Sequence, residues 1–197
     1  MEPLIPVPES VSFEDAITLT QTLLEQWEQG QLAEAELEAP IAALVKTYTG
    51  ARGFFVVYLS DTRASLENLY PTLIPSLKTA PDIVSELLVK NLAMSTAMEM
   101  VHRRNGHAEM AQQSAQVQRR SAALMKQLDG PQIQRELQQL WVGLSNDAAP
   151  YGAFLQRWGY DAAQRQAIAT YLQQLFPGLE TPATDVGTED TNGDGST

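Results

Sequence analysis

Apolar residues recur three and four positions apart along most of the chain, which is typical of amphipathic helices. The first such stretch spans residues 12–29. Ser12 and Asp15 have the spacing of a capping box at its start, and Gly30 stands where the helix would end. A second stretch follows at once, with Pro40 in its predicted first turn and Gly50 as its predicted stop.

Residues 54–59 are the one ambiguous segment. Their β-branched and aromatic side chains are typical of a buried strand. A strand needs partners, and the candidate partners at 4–7 and 72–77 are short and interrupted by proline. We therefore favour a buried helix here, and we expect residues 62–80, which contain two prolines, to form a connecting loop.

The central segment 81–128 contains no proline after its first position and carries the clearest helical pattern. As one helix it would be about 70 Å long at about 1.5 Å per residue, which is long for a compact domain. Asn105 and Gly106 divide it, so we expect a break or bend near Gly106, although one continuous helix remains an alternative. The predicted buried stripe of its first half is Ile83, Leu87, Met94, Met98 and Val101.

Three further helices are predicted between residue 131 and residue 176, after which Thr, Gly, Asp and Glu predominate. The sequence therefore predicts an all-α fold: a compact bundle of about seven helices over residues 11–176, with a long or broken central helix. An extended segment, 1–10, precedes the bundle, and a disordered acidic tail, 177–197, follows it.

Net charge, cysteine content and the length of apolar runs exclude several classes of protein. The formal net charge is −11 and the chain has no cysteine, which removes disulfides and thiolate chemistry. Residues 1–38 carry nine acidic and no basic residues, whereas residues 39–176 carry ten acidic and 13 basic ones, a net +3. An acidic protein is a poor ligand for nucleic acid, and no apolar run approaches the length of a membrane span. We expect a cytoplasmic protein without nucleic-acid binding or membrane insertion.

Three stretches resemble an uncharacterised all-helical family of cyanobacterial proteins. They are residues 53–59, 91–98 and 154–161, which read GFFVVYL, NLAMSTAM and FLQRWGYD. The resemblance extends over most of residues 11–176. It implies a helical fold and a setting for the protein, and it implies no activity, ligand or site.

Glu99 and His102 have the Glu-x-x-His spacing found in carboxylate-bridged metal sites of helical bundles. A metal- or ligand-binding enzyme centred on Glu99, His102 and His107 is therefore the alternative function. His107 has an arginine rather than a glutamate three positions before it, and the chain has no third histidine. We favour an ordinary ion pair between Glu99 and Arg103, at positions i and i+4, and we expect no cofactor.

Nucleotide-binding glycine loops and the nucleophile elbow of serine hydrolases are both absent from the sequence. The sequence thus favours a non-catalytic interaction or assembly protein that binds a protein partner through its central helices. The predicted partner-binding residues are Arg103, Arg104, Arg119, Arg120, Lys126 and Met100. Three alternatives remain open: the basic residues pair with the chain's own acidic N-terminal helix, a homodimer buries part of the central segment, or the acidic tail carries the function while the helices only provide a stable fold.

Overall fold

The computed structural model describes residues 6–179, and within that range it contains nine α-helices, one 3-10 helix and no strand. The predicted all-α fold is confirmed. The α-helices are α1 (Phe13–Glu28), α2 (Glu34–Val45), α3 (Tyr48–Ser60), α4 (Tyr70–Leu77), α5 (Pro81–Arg104), α6 (Ala108–Leu128), α7 (Pro131–Gly143), α8 (Gly152–Arg157) and α9 (Ala162–Leu175); the 3-10 helix is Ala64–Leu69. Residues 1–5 of the predicted extended segment and residues 180–197 of the predicted tail lie outside the described residues.

The N-terminal helix begins and ends at the predicted signals. The Ser12 hydroxyl accepts a hydrogen bond from the Asp15 backbone N–H at 3.0 Å and donates one to the Asp15 carboxylate at 2.8 Å. After α1 ends, Gly30 adopts a φ of 70°, a conformation that glycine takes without strain. These contacts fix the limits of α1.

Two boundary predictions in the next helices are wrong. Pro40 lies inside α2, beyond its first turn. Gly50 does not stop a helix but lies in the first turn of α3, where its N–H donates to the Thr47 hydroxyl at 3.1 Å. A Cβ at Gly50 would lie 2.2 Å from the Leu44 carbonyl oxygen, so the glycine is needed for close approach rather than for termination.

The segment at 54–59 is helical, as we favoured, and belongs to α3 in the centre of the core. The helix packs closely on α1 at Gly53, where a Cβ would come within 2.5 Å of the Ala16 Cβ. Helix α3 is buried on most sides, which explains its strand-like composition. An element surrounded by the core needs no polar face.

The loop predicted for 62–80 is instead the 3-10 helix followed by α4. Pro71 occupies the first turn of α4, where no N–H is needed, while Pro75 lies inside that helix. An interior proline costs about 3 kcal/mol, but each fully buried leucine contributes about 1.5–3 kcal/mol. Four leucines of this segment are fully buried, namely Leu66, Leu69, Leu73 and Leu77.

Helices α5 and α6 form an antiparallel hairpin, so the central segment is broken near Gly106, as expected. Gly106 has a φ of 74° in the turn. Across the hairpin, the Gln118 side-chain amide donates to the Thr96 hydroxyl at 2.9 Å. This buried bond fixes the register of the two helices.

The stripe predicted for α5 is partly wrong: Leu87 is buried, but Met98 is 38% exposed and the other three residues are half-buried. Helix α5 contacts α3, α6, α7 and α9, so it is enclosed from several directions rather than along one face. Its buried apolar residues are Val84, Leu87, Leu88, Val89, Leu92, Ala93 and Ala97.

Candidate interaction site

The hairpin of α5 and α6 carries all six residues predicted to bind a partner, but it divides them among different environments. Arg103 and Arg104 are exposed at the end of α5, and Met100 is half-buried one turn earlier. Arg119 and Lys126 are exposed on α6. Arg120, next to Arg119, is buried.

Arg120 is 2% exposed and therefore cannot form part of a binding surface in this structure, contrary to the prediction. Its guanidinium donates to three backbone carbonyl oxygens at the end of α3 and just beyond it: Tyr58 at 2.9 Å, Asp61 at 2.5 Å and Arg63 at 2.7 Å. The last carbonyls of a helix have no intrahelical partners, and a cation is favoured at that end of the helix dipole. Arg120 is thus a structural cap that joins α6 to α3.

A second arginine, Arg63, binds two carboxylates close to this cap. Arg63 binds the Asp61 carboxylate at 2.5 Å and Glu28 of α1 at 2.7 Å. Burial opposes ionisation of Asp61, but hydrogen bonds from Arg63 and the charges of Arg63 and Arg120 together lower its pKa. The acidic N-terminal helix therefore pairs with Arg63, and among the described residues it forms no ion pair with Arg103, Arg104, Arg119, Arg120 or Lys126.

Two of the exposed arginines flank one groove on the hairpin. The groove has a volume of about 450 Å³ and is called the arginine groove below. It is lined by Arg103, Gly106, Ala108, Ala111, Gln112, Ala115 and Arg119. Ala108, Ala111, Ala115 and Arg119 are three or four positions apart, so they share one face of α6, and the small alanine side chains leave room for the groove. The groove thus combines three alanines with two arginine side chains.

The arginines at this end of the hairpin differ in their partners. Arg103 pairs with Glu99, and Arg104 lies 3.5 Å from the Asp161 carboxylate, where α9 begins. Arg119 forms no hydrogen bond or ion pair with any residue of the described range. The Arg119 charge acts on Tyr171 of α9: burial raises the pKa of that phenol, and the Arg119 charge opposes this shift. Arg119 is therefore a cation without a countercharge in residues 6–179.

The arrangement of Glu99, His102 and His107 agrees with the ion pair that we favoured. The Glu99 carboxylate is engaged by Arg103, and the two imidazole rings are 6.2 Å apart between centroids. The Nδ1 atom of His102 is buried without a hydrogen-bond partner in the described structure. Within residues 6–179, no three histidine or carboxylate side chains are grouped so that they could bind a metal ion.

A polar cluster that the sequence did not reveal lies elsewhere on α5. The Lys90 ammonium lies 5.9 Å from the Tyr48 ring centroid and 5.7 Å from that of Phe154, and it pairs with Glu86. Burial lowers the pKa of Lys90, but Glu86 raises it, and the net shift is upward. The cluster fastens α3 and α8 to α5. Its residues come from distant parts of the chain, so no local pattern could have indicated it.

Comparisons with known proteins identify a family but no function. The family described as "Uncharacterised conserved protein UCP020893" matches residues 12–175, which include every α-helix that the structure describes. Neither the curated proteins nor the solved structures gave a match. No helix within residues 6–179 has the length and apolarity needed to cross a membrane.

Proposed function

This chain belongs to the family described as uncharacterised conserved protein UCP020893, a description that names no activity, and we propose from its geometry that it is a non-catalytic interaction protein. In this proposal, the arginine groove receives an acidic segment of a protein partner. The observation that carries the proposal is Arg119, which faces the groove without an anionic partner in the described chain.

The chemistry of the groove favours carboxylates. An arginine side chain offers a planar fork of donors that matches a carboxylate in two parallel hydrogen bonds. Arg103 and Arg119 both line the groove beside its alanines; the Arg103 Nε is engaged by Glu99, whereas Arg119 has no ion pair in the described chain. The Gln112 amide, also in the lining, offers a donor and an acceptor to a bound segment.

The dimensions of the groove limit the contact to a short segment. Its volume of about 450 Å³ accommodates a few residues rather than a folded domain. Interfaces below about 1,200 Å² of total buried area are typical of weak or transient complexes. Charge attraction across this groove would act mainly on the association rate, and it would weaken as salt is added.

Substitution of both flanking arginines tests the proposal. We expect R103Q/R119Q to bind a fluorescently labelled glutamate-rich peptide about tenfold more weakly than the wild type, a loss of about 1.4 kcal/mol. R157Q removes an exposed arginine of α8, outside the groove, and is the matched control. Its affinity for the peptide should equal that of the wild type. Equal affinities for all three proteins, with melting temperatures unchanged, would contradict the proposal.

Native mass spectrometry on protein purified from its own source extends the test to the natural partner. A complex with a second protein that is present for the wild type and R157Q, but lost in R103Q/R119Q, supports the proposal. A homodimer that persists in R103Q/R119Q, with no second protein bound in any variant, contradicts it.

A further inference from the structure

We propose that the chain's own acidic segment, residues 180–197, occupies the arginine groove and competes there with the partner. The competition rests on the function proposed above, whereas occupancy of the groove by the segment does not. Three features carry the inference: the charge of the segment, the course of α9 and the length of chain that follows it.

Charge complementarity is the first feature. Residues 180–197 contain five acidic residues and no basic one. They are Glu180, Asp185, Glu189, Asp190 and Asp194. The exposed side chains of Arg119 and Lys126 on α6 carry the opposite charge, and neither has an ion-pair partner in residues 6–179. An acidic segment is attracted to such a surface over about 8–10 Å at ordinary ionic strength.

The course of α9 carries the chain back along the hairpin before the segment begins. Asp161, at the start of α9, lies 3.5 Å from Arg104 at the turn of the hairpin. Ten positions later, Tyr171 lies in the electrostatic field of both Arg119 and Glu99. Helix α9, which contacts α5, therefore runs from the turn back along the hairpin. The first acidic residue, Glu180, follows Tyr171 by nine positions.

The segment is long enough to return along the groove. Eighteen extended residues reach up to about 60 Å, whereas the 21 residues of α6 span about 32 Å. Because the segment belongs to the same chain as the groove, its effective concentration there is on the order of millimolar. A contact with a dissociation constant near that value is enough for substantial occupancy, so no tight binding is required.

Paramagnetic relaxation measures this contact directly. The chain contains no cysteine, so T191C provides a single attachment site for a spin label on the full chain. We expect the label to broaden the amide signals of Gln112, Ala115 and Arg119 selectively at low salt. The broadening should disappear in R119Q, and also when the five acidic residues of the segment are replaced by Gln or Asn. It should also disappear at about 1 M salt, where the screening length is about 3 Å.

Two results would overturn the inference. One is the absence of selective broadening at these amides at low salt. The other is broadening that arises only between molecules, which is detected by mixing spin-labelled chain with isotope-labelled chain that lacks the cysteine. That second result would place the segment in the groove of another copy.

Peptide binding separates this inference from the proposed function. We expect the full chain with a neutralised segment to bind the glutamate-rich peptide at least threefold more tightly than the wild type, and R119Q to remove that gain. If the two proteins bind the peptide with equal affinity, and binding still depends on Arg119, the inference is rejected and the proposed function is retained. If the amide signals of the groove are broadened but neither protein binds the peptide or a partner, the contact is retained and the proposed function is rejected.

Discussion

The Arg120 guanidinium donates a hydrogen bond to the Tyr58 backbone carbonyl at 2.9 Å. This bond joins α6 to α3 through two residues that are 62 positions apart in the chain. The same guanidinium lies 5.9 Å from the centroid of the Tyr58 ring. The Tyr58 hydroxyl in turn donates to the Leu66 carbonyl in the 3-10 helix at 3.0 Å. The end of α3, the chain after it and the middle of α6 are therefore held by one connected set of contacts.

Replacing Arg120 should destabilise the protein strongly. R120M retains an unbranched apolar side chain but removes the donors to three carbonyl oxygens. Leaving buried acceptors unpaired costs about 1–3 kcal/mol, so we expect the free energy of unfolding to fall by about 2–4 kcal/mol in urea denaturation. R119M, at the adjacent exposed position, should change it by less than about 0.5 kcal/mol. Similar values for the two variants would show that Arg120 does not cap α3.

The close packing of α1 on α3 predicts that a single added methyl group is harmful at Gly53. A Cβ there would lie 2.5 Å from the Ala16 Cβ and 3.1 Å from its backbone carbon, and backbone atoms cannot move aside without separating the helices. We expect G53A to lower the free energy of unfolding by about 1–3 kcal/mol, although alanine is the better helix former by about 1 kcal/mol.

The control for this substitution is G178A, because a Cβ at Gly178 would have no atom within 4 Å. Urea denaturation should show little change for that variant. If G53A proved as stable as the wild type, the two helices would have to lie farther apart than in this structure.

Contacts between residues a few positions apart could be predicted from the sequence, whereas contacts between distant residues could not. The cap at Ser12 and the break at Gly106 were predicted because each depends on residues within a few positions. The burial of Arg120 was not predicted, because the carbonyls that it caps come from positions about 60 residues earlier. An arginine beside another arginine on an amphipathic helix indicates an exposed pair unless the contacts of the other helices are known.

The candidate site shows the same division. Arg103 and Arg119 were both predicted as binding residues, but only the antiparallel hairpin brings them into the lining of one groove. Three alanines, at 108, 111 and 115, line this groove, although Ala111 is itself only 4% exposed. Composition alone does not tell whether a face of small residues is covered.

The buried pair of Tyr151 and Glu136 predicts a further loss of stability on removal of one hydroxyl. The Tyr151 hydroxyl donates to the Glu136 carboxylate at 2.8 Å, and both residues are buried. Hydrogen bonds to charged groups contribute about 1.5–3 kcal/mol, so we expect Y151F to lower the free energy of unfolding by about that amount. Y171F is the control, because the described structure shows no hydrogen bond from that hydroxyl. Equal stabilities of Y151F and Y171F would exclude a contribution from this pair.

Burial of Tyr160 predicts a loss of stability at alkaline pH. Tyr160 is 8% exposed, and this burial raises the pKa of its phenol from 10.0 to about 12. The unfolded chain therefore loses the phenol proton at a lower pH than the folded chain. The resulting stabilisation is complete below about pH 10 and is lost as the pH rises toward about 12.

Comparison of the wild type with Y160F isolates this contribution, because Tyr151 and Tyr171, whose pKa values are also raised, are present in both proteins. Between about pH 8 and about pH 11, the wild type should lose about 1.4 kcal/mol more unfolding free energy than Y160F, since pH 11 lies one unit above the pKa of the unfolded phenol and one pKa unit corresponds to about 1.4 kcal/mol. Urea denaturation at a series of pH values measures the difference. Parallel pH profiles for the two proteins would mean that the Tyr160 phenol ionises equally easily in the folded and unfolded chains.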